Sequence, residues 1–516
     1  TTGLTGQWQL AVFARYTRDK DTQAQSTMGQ FKHSGKMPDV MNKKAVASFI
    51  EHSHEKILKH IENPEQKIEA FYVNEPSLNQ THWDGKTESP YATAPWTESL
   101  PTRFENMHGY NLIPYLPAVF VGDDITARRI RLHYKQAVAE QYTDSFARQI
   151  KQWTNERGIK SSGHFLLNQF ITQHVQGYGD LMKFASEFDI QALDIGIPEP
   201  DRYKTFNFQQ TRFFSSITEW KKRDYTIMLL DPIIDNGGLG RSRPNPTIPV
   251  ILNSVNMGFF HGASKFSSYM PLTKNRRSKR PGLTGYSIKE FRALNEYIGR
   301  IAMFLRGAKR GTQVALYYPV AMFQSELKAS ASFWSRITNQ PELKTRQALW
   351  DNIENTLLAN DMEYLIVHPD AVKESDIQQG KMLVGDSAFK YLIMPQMEIL
   401  SLSEIEKIKA FEEQGGVVLW VNNTPKYAQK AQNDERISLI SQQWQSINYA
   451  DLPKLINAPH PKTFDLNIAA TGQTSIGRFT QGKSIIYYVV NREGHDLNIT
   501  ISPPDNVTQD NSFQVM

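Results

Sequence analysis

Residues 69–76 of the chain are Glu-Ala-Phe-Tyr-Val-Asn-Glu-Pro. The four residues at 70–73 form an apolar run without glycine, which is typical of a buried strand. The run ends at Asn74, Glu75 and Pro76, so a carboxylate stands where the strand opens into a loop. In parallel β/α folds the carboxyl ends of the strands build the active site. The stretch therefore predicts a general acid at Glu75, with a helix cap or a loop salt bridge as the alternative.

Strand-like and helix-like segments alternate through the first 308 residues, which favours a β/α architecture. Strands are predicted at 9–16, 70–73, 159–164, 190–197, 225–230 and 253–261. This amounts to about six of the eight repeats of a TIM-type (β/α)8 barrel. The missing first strands fit a truncation at the N-terminus, or else they come from elsewhere. An open doubly wound sheet is the alternative, but no glycine-rich phosphate fingerprint follows these strands.

Two further domains are predicted after the barrel domain at 1–308. Short apolar strands at 314–318, 364–368, 391–394 and 417–421 alternate with helical segments. They predict a flavodoxin-like α/β domain at 309–455. Strand-like stretches at 484–490 and 497–501 predict the start of a β-sandwich at 456–516.

Composition excludes several classes of function. Lys plus Arg exceed Asp plus Glu by only five (58 against 53), which argues against a nucleic-acid partner. The chain has no cysteine, so disulfides and thiolate metal sites are excluded. The sequence contains no apolar run of about 18 residues, so it predicts no membrane span. No Gly-x-Ser-x-Gly elbow or His-Glu-x-x-His motif occurs, which argues against a serine hydrolase and a zinc protease. Nothing in the sequence predicts the oligomeric state.

Polar residues stand at five predicted strand ends and are expected to converge. They are Asn74 with Glu75, His164 with Asn168, Asp194, Asp231 and His261. Two carboxylates on different strands can flank a glycosidic bond, one protonating the leaving oxygen and the other serving water or carbon.

Asp231 is the leading partner for Glu75, because it follows the apolar run at 227–230. Asp194 and Asp180 are weaker candidates, since either can cap a helix. His164 has the alternative of a core histidine. Trp83 is available to stack on a sugar face or to bury the acid.

Together these segments resemble glycoside hydrolase family 106, the α-L-rhamnosidase family. They are similar more loosely to large barrel glycosidases with a flavodoxin-like second domain. The resemblance covers most of residues 8–320. It is carried by 74–76, by Phe104 to Pro117, by Ser162-Gly163-His164, by Gly179-Asp180-Leu181-Met182, by 258–262 and by 314–319.

The resemblance implies that Glu75 is the acid, that the anomeric carbon is inverted and that the site admits a calcium ion. It does not supply the second carboxylate. Where the family shows one or two glutamates about four residues after Gly-His, this chain has Asn168 and Gln169. The family's Ser-Glu-Thr-like strand end is Leu230-Asp231-Pro232 here. Asp231 is therefore the base, or the chain is not a hydrolase.

The sequence thus predicts an exported glycoside hydrolase, periplasmic or extracellular, that cleaves α-L-rhamnoside bonds in a polysaccharide or oligosaccharide. Glu75 and Asp231 are the catalytic pair. The predicted sugar contacts are Asn74, Trp83, His164, Asn168 and His261. The alternatives are a carbohydrate-binding pseudoenzyme, which Asn168 and Gln169 favour, and a related barrel glycosidase such as a β-galactosidase.

Overall fold

The computed structural model describes residues 11–15, 38–78, 91–165, 168–198, 208–235, 247–268, 287–329, 340–457, 467–470, 474–491 and 498–502. Five parallel strands in the first part of the chain form one sheet, in the order in which they occur along the chain. They are β1 (Ala70–Asn74), β2 (Lys160–His164), β3 (Ile190–Pro198), β4 (Thr226–Asp235) and β5 (Lys265–Ser268). Sequential order and parallel direction are what consecutive β/α repeats of a barrel produce.

Helices precede, separate and follow these strands. They are α1 (Lys43–His52), α2 (His54–Leu58), α3 (Pro64–Lys67), α4 (Leu100–His108), α5 (Pro117–Phe120), α6 (Ile125–Tyr142), α7 (Gln149–Asn155), α8 (Ile171–Tyr178), α9 (Leu181–Ser186), α10 (Gln209–Trp220), α11 (Ile248–Phe260) and α12 (Ile288–Phe304). A 3-10 turn lies at Ile113–Tyr115, and a π-helical segment at Thr143–Arg148 joins α6 to α7. Asp124 caps α6 by accepting from the N–H groups of Thr126 and Ala127.

The strand predicted at 253–261 is wrong, because this stretch belongs to helix α11. A short apolar run does not distinguish a buried helix from a buried strand, and Pro249 in the first turn starts the helix here. A Cβ on Gly258 would lie 2.6 Å from the sulfur of Met228 and 2.9 Å from Phe266, so α11 packs closely on β4 and β5. The strand predicted at 9–16 is not found either, since the described residues 11–15 have no strand conformation.

The second part of the chain contains another five-stranded parallel sheet. The strands of this region, in this sheet and in smaller ones, are β6 (Lys309–Arg310), β7 (Val314–Tyr317), β8 (Leu365–Val367), β9 (Asp376–Gln378), β10 (Lys381–Val384), β11 (Ser387–Phe389), β12 (Tyr391–Met394), β13 (Ile399–Leu400), β14 (Val417–Val421), β15 (Tyr427–Ala428) and β16 (Ser446–Ile447). The parallel sheet has the order β16-β14-β12-β7-β8. The four strands predicted from apolar runs are confirmed as β7, β8, β12 and β14.

Six helices accompany this second sheet. They are α13 (Val320–Glu326), α14 (Pro341–Ala359), α15 (Pro369–Glu374), α16 (Leu402–Glu413), α17 (Asp434–Ser441) and α18 (Leu452–Asn457), with 3-10 turns at Ala431–Asn433 and Tyr449–Asp451. No helix in the described ranges is both long and apolar enough to cross a lipid bilayer.

The C-terminal strands are β17 (Asn467–Ala470), β18 (Thr474–Gln481), β19 (Ser484–Asn491) and β20 (Ile499–Ser502). β18 and β19 form an antiparallel hairpin, and β17 pairs with β20. β6 pairs with the edge of β18 that β19 leaves open. The C-terminal hairpin is therefore attached to the segment between the two parallel sheets, which contains β6. The ring of Phe259 in α11 lies 6.3 Å from that of Tyr488 in β19.

A buried ionic cluster fastens α10 to the second sheet. Oε2 of Glu363 accepts from Nη1 of Arg212 and from Nη1 of Arg310, each at 2.6 Å. The side chains of all three residues are at most 3% exposed. Such charges are tolerated in a protein interior only when they are paired, because removing them from water costs several kcal/mol per ion. The cluster therefore fixes the orientation of the second sheet against the first.

Candidate active site

The register of β1, β2 and β3 brings three polar side chains to one end of the sheet. Asn74 is the partner of His164, and His164 is the partner of Ala192. Asp194 lies two residues beyond Ala192 and therefore on the same face of the sheet, since side chains alternate along a strand. Glu75 follows the last residue of β1. The carboxyl ends of β1 and β2 thus supply Glu75 and His164, and the middle of the neighbouring strand β3 supplies Asp194.

The backbone of Glu75 has a left-handed conformation, with φ of +50°. A non-glycine residue in this region costs about 1–3 kcal/mol and persists only where the surroundings enforce it. The enforcing contact here is the N–H of Glu75, which donates to the carbonyl oxygen of His164 at 2.9 Å. This turn holds the Glu75 side chain over the sheet, where it is 10% exposed.

His164 lies between the two carboxylates and is 1% exposed. Its Nε2 lies 3.4 Å from Oε1 of Glu75 and 3.6 Å from Oδ2 of Asp194. Its Nδ1 lies 3.2 Å from Oδ1 of Asn74. Because an amide oxygen only accepts, that contact places a proton on Nδ1 and turns Nε2 toward the carboxylates.

Burial raises the pKa of the Asp194 carboxyl, His164 opposes that shift and the charge of Glu75 adds to it. The pKa of the Tyr178 hydroxyl, close to the site, is likewise raised well above its ordinary value by burial, by Tyr142 and by Glu75. Both shifts disfavour further negative charge in this region. The cluster is therefore a place where a carboxyl proton is retained more readily than in water.

The sequence-predicted site residues are placed as follows. Glu75, Asn74 and His164 come together, and Asp194 joins them although it was a weak candidate. No spacing along the chain distinguished it, because its approach to Glu75 follows from the register of β2 and β3. Asn168 is 7% exposed in the loop after β2, where its carbonyl oxygen is 3.0 Å from Nε2 of His174. Asp180 lies outside the cluster, because it caps α9 and pairs with His368.

His261 does not lie at the carboxyl end of a strand. It ends α11, before β5, and its Nδ1 accepts from Nε of Arg212 at 3.3 Å. It therefore belongs to the opposite end of the sheet from Glu75. Trp83 lies outside the described residues. The backbone of Asp231 is described within β4, but its side chain is not.

The donor atoms of the described residues do not suit a calcium ion. Glu75, His164 and Asp194 each offer one ligand atom, and these three atoms lie within 4.8 Å of one another. This is close enough for the three residues to share a cation. Calcium takes six to eight oxygen ligands, whereas one of these three donors is an imidazole nitrogen. The described residues alone therefore do not make a calcium site.

The spacing of the two carboxylates limits their joint chemistry. Inverting glycosidases keep their carboxyl groups roughly 6.5–9.5 Å apart to admit a water molecule. An oxygen of Glu75 lies within 4.8 Å of an oxygen of Asp194, which leaves no such room. Asp194 is thus too close to Glu75 to act as the water-activating base of an inverting pair, and that base has to come from elsewhere.

No protein-family model matches the sequence, and no curated protein matches it. Among solved structures the chain is similar to a rhamnosidase from Novosphingobium sp. PP1Y, with 14% identity and a TM-score of 0.59, over 88% of this chain and 42% of the rhamnosidase. It is also similar to the apo exo-carrageenase GH42 from Bacteroides ovatus, with 13% identity and a TM-score of 0.51, over 79% of this chain and 58% of that protein.

These likenesses show a fold shared with the two proteins, and the sequential parallel sheet β1–β5 is consistent with a TIM-type barrel. The chain spans about two fifths of the rhamnosidase's length and under two thirds of the carrageenase's. Identity of 13–14% carries the fold and not the substrate.

Proposed function

We propose that this chain is the catalytic part of a glycoside hydrolase and that Glu75 is its general acid. The observation that carries the proposal is the placement of the Glu75 carboxyl at the end of a parallel strand, 10% exposed, against His164 and Asp194. A general acid has to reach the leaving oxygen of the glycosidic bond, and the carboxyl ends of parallel strands are where barrel enzymes place their catalytic groups. The left-handed, strained backbone of Glu75 is typical of a functional residue.

The substrate we propose is an α-L-rhamnoside in a polysaccharide or oligosaccharide. Support comes from the resemblance of the sequence segments to the α-L-rhamnosidase family and from the fold shared with the rhamnosidase. We place the protein in the periplasm or outside the cell as part of the same proposal, and fractionation of the producing cells checks that placement.

Asp231 remains our proposed base. In the β3–β4 register Asp194 pairs with Leu229 and Gly196 pairs with Asp231, so Asp231 is two residues farther along the sheet. Two residues of a strand span roughly 6–7 Å. A backbone offset of that size from the Asp194 position supports the wider carboxylate spacing that inversion requires.

The test compares hydrolysis of an aryl α-L-rhamnoside and an aryl β-galactoside by the wild type, by Glu75→Gln and by Asp231→Asn. We expect the rhamnoside to be cleaved, and Glu75→Gln to lose about 10²–10⁴ in rate. A 2,4-dinitrophenyl leaving group needs no protonation, so it should restore turnover in Glu75→Gln but not in Asp231→Asn. Glu105→Gln, an exposed change on α4, is the matched control. Equal rates for Glu75→Gln and the wild type would exclude Glu75 as the acid.

The second candidate function is a carbohydrate-binding pseudoenzyme. Asn168 and Gln169 favour it, because these amides stand where the α-L-rhamnosidase family, which the sequence resembles, has glutamate. This candidate predicts no turnover of any aryl glycoside by the wild type, together with sugar binding that survives Glu75→Gln. Calorimetric titration with rhamnose and galactose separates it from the hydrolase.

We also propose the division into a barrel domain at 1–308, a flavodoxin-like domain at 309–455 and the start of a β-sandwich at 456–516. The strand order of the second sheet supports the middle assignment, since β8-β7-β12-β14-β16 is the order 2-1-3-4-5 of flavodoxin-like sheets. Limited proteolysis followed by mass spectrometry tests the boundaries, which should appear as the earliest cleavages.

A further inference from the structure

The atoms that converge between β1, β2 and β3 have the spacing of a tetrahedral coordination shell. Nε2 of His164 lies 3.4 Å from Oε1 of Glu75 and 3.6 Å from Oδ2 of Asp194. Ligands that lie about 2.0–2.2 Å from a zinc ion, at the corners of a tetrahedron, are about 3.3–3.6 Å apart. The imidazole nitrogen is therefore at the tetrahedral distance from both oxygens. The ligand atoms of the two carboxyl groups lie within 4.8 Å of each other.

A second contact of the imidazole ring directs Nε2 toward the two carboxyl groups. Nδ1 of His164 donates to Oδ1 of Asn74 at 3.2 Å, which keeps the ring proton on Nδ1. A histidine that binds a metal typically donates its other ring N–H to a carbonyl or carboxylate oxygen, and this bond fixes the orientation of the ring. Asn74 supplies such an oxygen from the strand beside His164. β1 and β2 thus provide an imidazole ligand together with its support.

The carboxyl group of Glu75 has an oxygen atom that calls for positive charge. Oε2 of Glu75 is buried, and no residue in the described ranges forms a hydrogen bond with it. The Glu75 side chain is only 10% exposed. Within the same ranges, the ion pairs of Glu75 and of Asp194 involve His164 and no lysine or arginine. A buried carboxylate oxygen without a partner is costly, and a cation bound in the cluster would remove that cost.

The kinds of donor favour zinc over calcium. Zinc binds imidazole nitrogen and carboxylate oxygen, and its catalytic sites use three protein ligands with water in the fourth position. Glu75, His164 and Asp194 offer three such ligands, one atom each. Calcium requires six to eight oxygen atoms. The side chain of Asp194 is 34% exposed, so an ion and its water molecule can enter the cluster from solvent.

We propose that Glu75, His164 and Asp194 bind a zinc ion, with water in the fourth position. On binding, any proton held by the cluster passes to solvent. The oxygen lone pair of Glu75 that would carry the acid proton then holds the metal instead. Zinc therefore blocks the general acid and inhibits hydrolysis. The inhibition rests on the function proposed for Glu75, whereas the binding of zinc does not.

Calorimetric titration of the metal-free full chain with Zn²⁺ tests the site. We expect one tightly bound zinc ion per chain. Asp194→Asn should lose this ion, and Asn74→Ala, which removes the support of His164, should raise its Kd about 10–100-fold. The matched control is Asp376→Asn, an exposed change on β9 that should bind zinc as the wild type does. Equal zinc binding by Asp194→Asn and the wild type would overturn the proposed site.

Cobalt provides a second measurement, which needs no variant. Co²⁺ bound in the same site should give the intense visible absorption bands of tetrahedral coordination. An excess of Ca²⁺ should leave these bands unchanged, and Zn²⁺ should remove them. The weak bands of six-coordinate Co²⁺, or displacement of the ion by Ca²⁺, would overturn a tetrahedral site.

Hydrolysis of an aryl α-L-rhamnoside separates this proposal from the glycosidase proposal. Zn²⁺ should inhibit the wild type, with half-inhibition at a free concentration equal to the calorimetric Kd. Full activity with zinc bound would overturn the blocking of the acid. If the wild type does not cleave the rhamnoside without metal, the glycosidase proposal fails, and calorimetry together with the Co²⁺ spectrum still decides whether the zinc site exists.

Discussion

Glu75 and His164 are joined twice, once through the backbone and once through their side chains. The N–H of Glu75 donates to the carbonyl oxygen of His164 at 2.9 Å, and Nε2 of His164 lies 3.4 Å from Oε1 of Glu75. The first contact secures the left-handed backbone that aims the carboxyl, and the second orients the carboxyl itself. The position of the proposed acid thus depends on the neighbouring strand as well as on its own.

Replacing His164 by Gln should lower kcat about 10–100-fold, less than the loss in Glu75→Gln. The reason is that His164 positions the acid and does not reach the leaving group, and small misplacements of catalytic groups have effects of this size. Steady-state kinetics on an aryl rhamnoside measures the change, and ¹⁵N spectra of the ring should show the proton on Nδ1. His52→Gln, an exposed change on α1, is the control. A larger loss than in Glu75→Gln would contradict the positioning role.

Asp194→Asn should raise the temperature midpoint of unfolding at pH 7 while lowering activity. The pKa of Asp194 is raised in the folded state, chiefly by burial, so its charged form destabilises that state once the pH exceeds the ordinary value near 4. Removing the charge removes this cost, a gain that should vanish below about pH 4, where the carboxyl is protonated in both states. Calorimetry at pH 7 and pH 3.5 measures both cases, with the exposed Asp376→Asn as control. A lower midpoint at pH 7 would contradict the argument.

The sequence was sufficient where a local pattern determines the outcome. The apolar run before Glu75 predicted strand β1, the segment 159–164 was predicted as a strand and forms β2, and the ends of both strands predicted where polar groups would gather. The left-handed φ of Glu75 was not predictable, because the contact that enforces it comes from His164, 89 residues farther along the chain. The same holds for Asp194, whose approach to Glu75 follows from strand register and from no spacing along the chain.

Contacts between distant parts of the chain also explain where the predictions from sequence were wrong. His261 was assigned to a strand end because the run before it is apolar, yet those apolar residues are needed on a helix that packs against β4 and β5. The partners of Arg212 could not be found from the sequence either, since Glu363 and Arg310 are distant in the chain. The partners of such a side chain are determined by which helices and strands meet in the folded protein.

Glu363→Gln should destabilise the protein by about 3–5 kcal/mol, because it leaves two buried guanidinium groups without a counter-charge. Arg212 and Arg310 both donate to the same oxygen of Glu363, and the three side chains are nearly inaccessible to solvent. Thermal and urea unfolding measure the loss. Glu296→Gln, which breaks the exposed pair with Arg292 on α12, should change stability by no more than about 0.5 kcal/mol. Similar effects of the two changes would show that the buried cluster is not what fastens the sheets.

His133 should make the protein less stable in acid. Its ring, on α6, has Nδ1 2.9 Å from the hydroxyl of Tyr110 and Nε2 3.0 Å from the carbonyl oxygen of Gln429. It also stacks on His108 at 4.1 Å. Since a carbonyl only accepts, Nε2 carries the proton and Nδ1 accepts from the tyrosine, which fixes the neutral ring.

Burial, together with the charges of Arg129 and Lys430, lowers the pKa of His133 from 6.5 to about 4. The folded state therefore binds fewer protons than the unfolded chain. Stability is complete above pH 6.5 and falls as the pH approaches 4, by about 3 kcal/mol for this group. We expect His133→Gln to flatten the decline of the unfolding midpoint between pH 7 and pH 4.5, whereas the exposed His60→Gln should leave the decline as in the wild type. An equally steep decline in His133→Gln would place the acid sensitivity at another group.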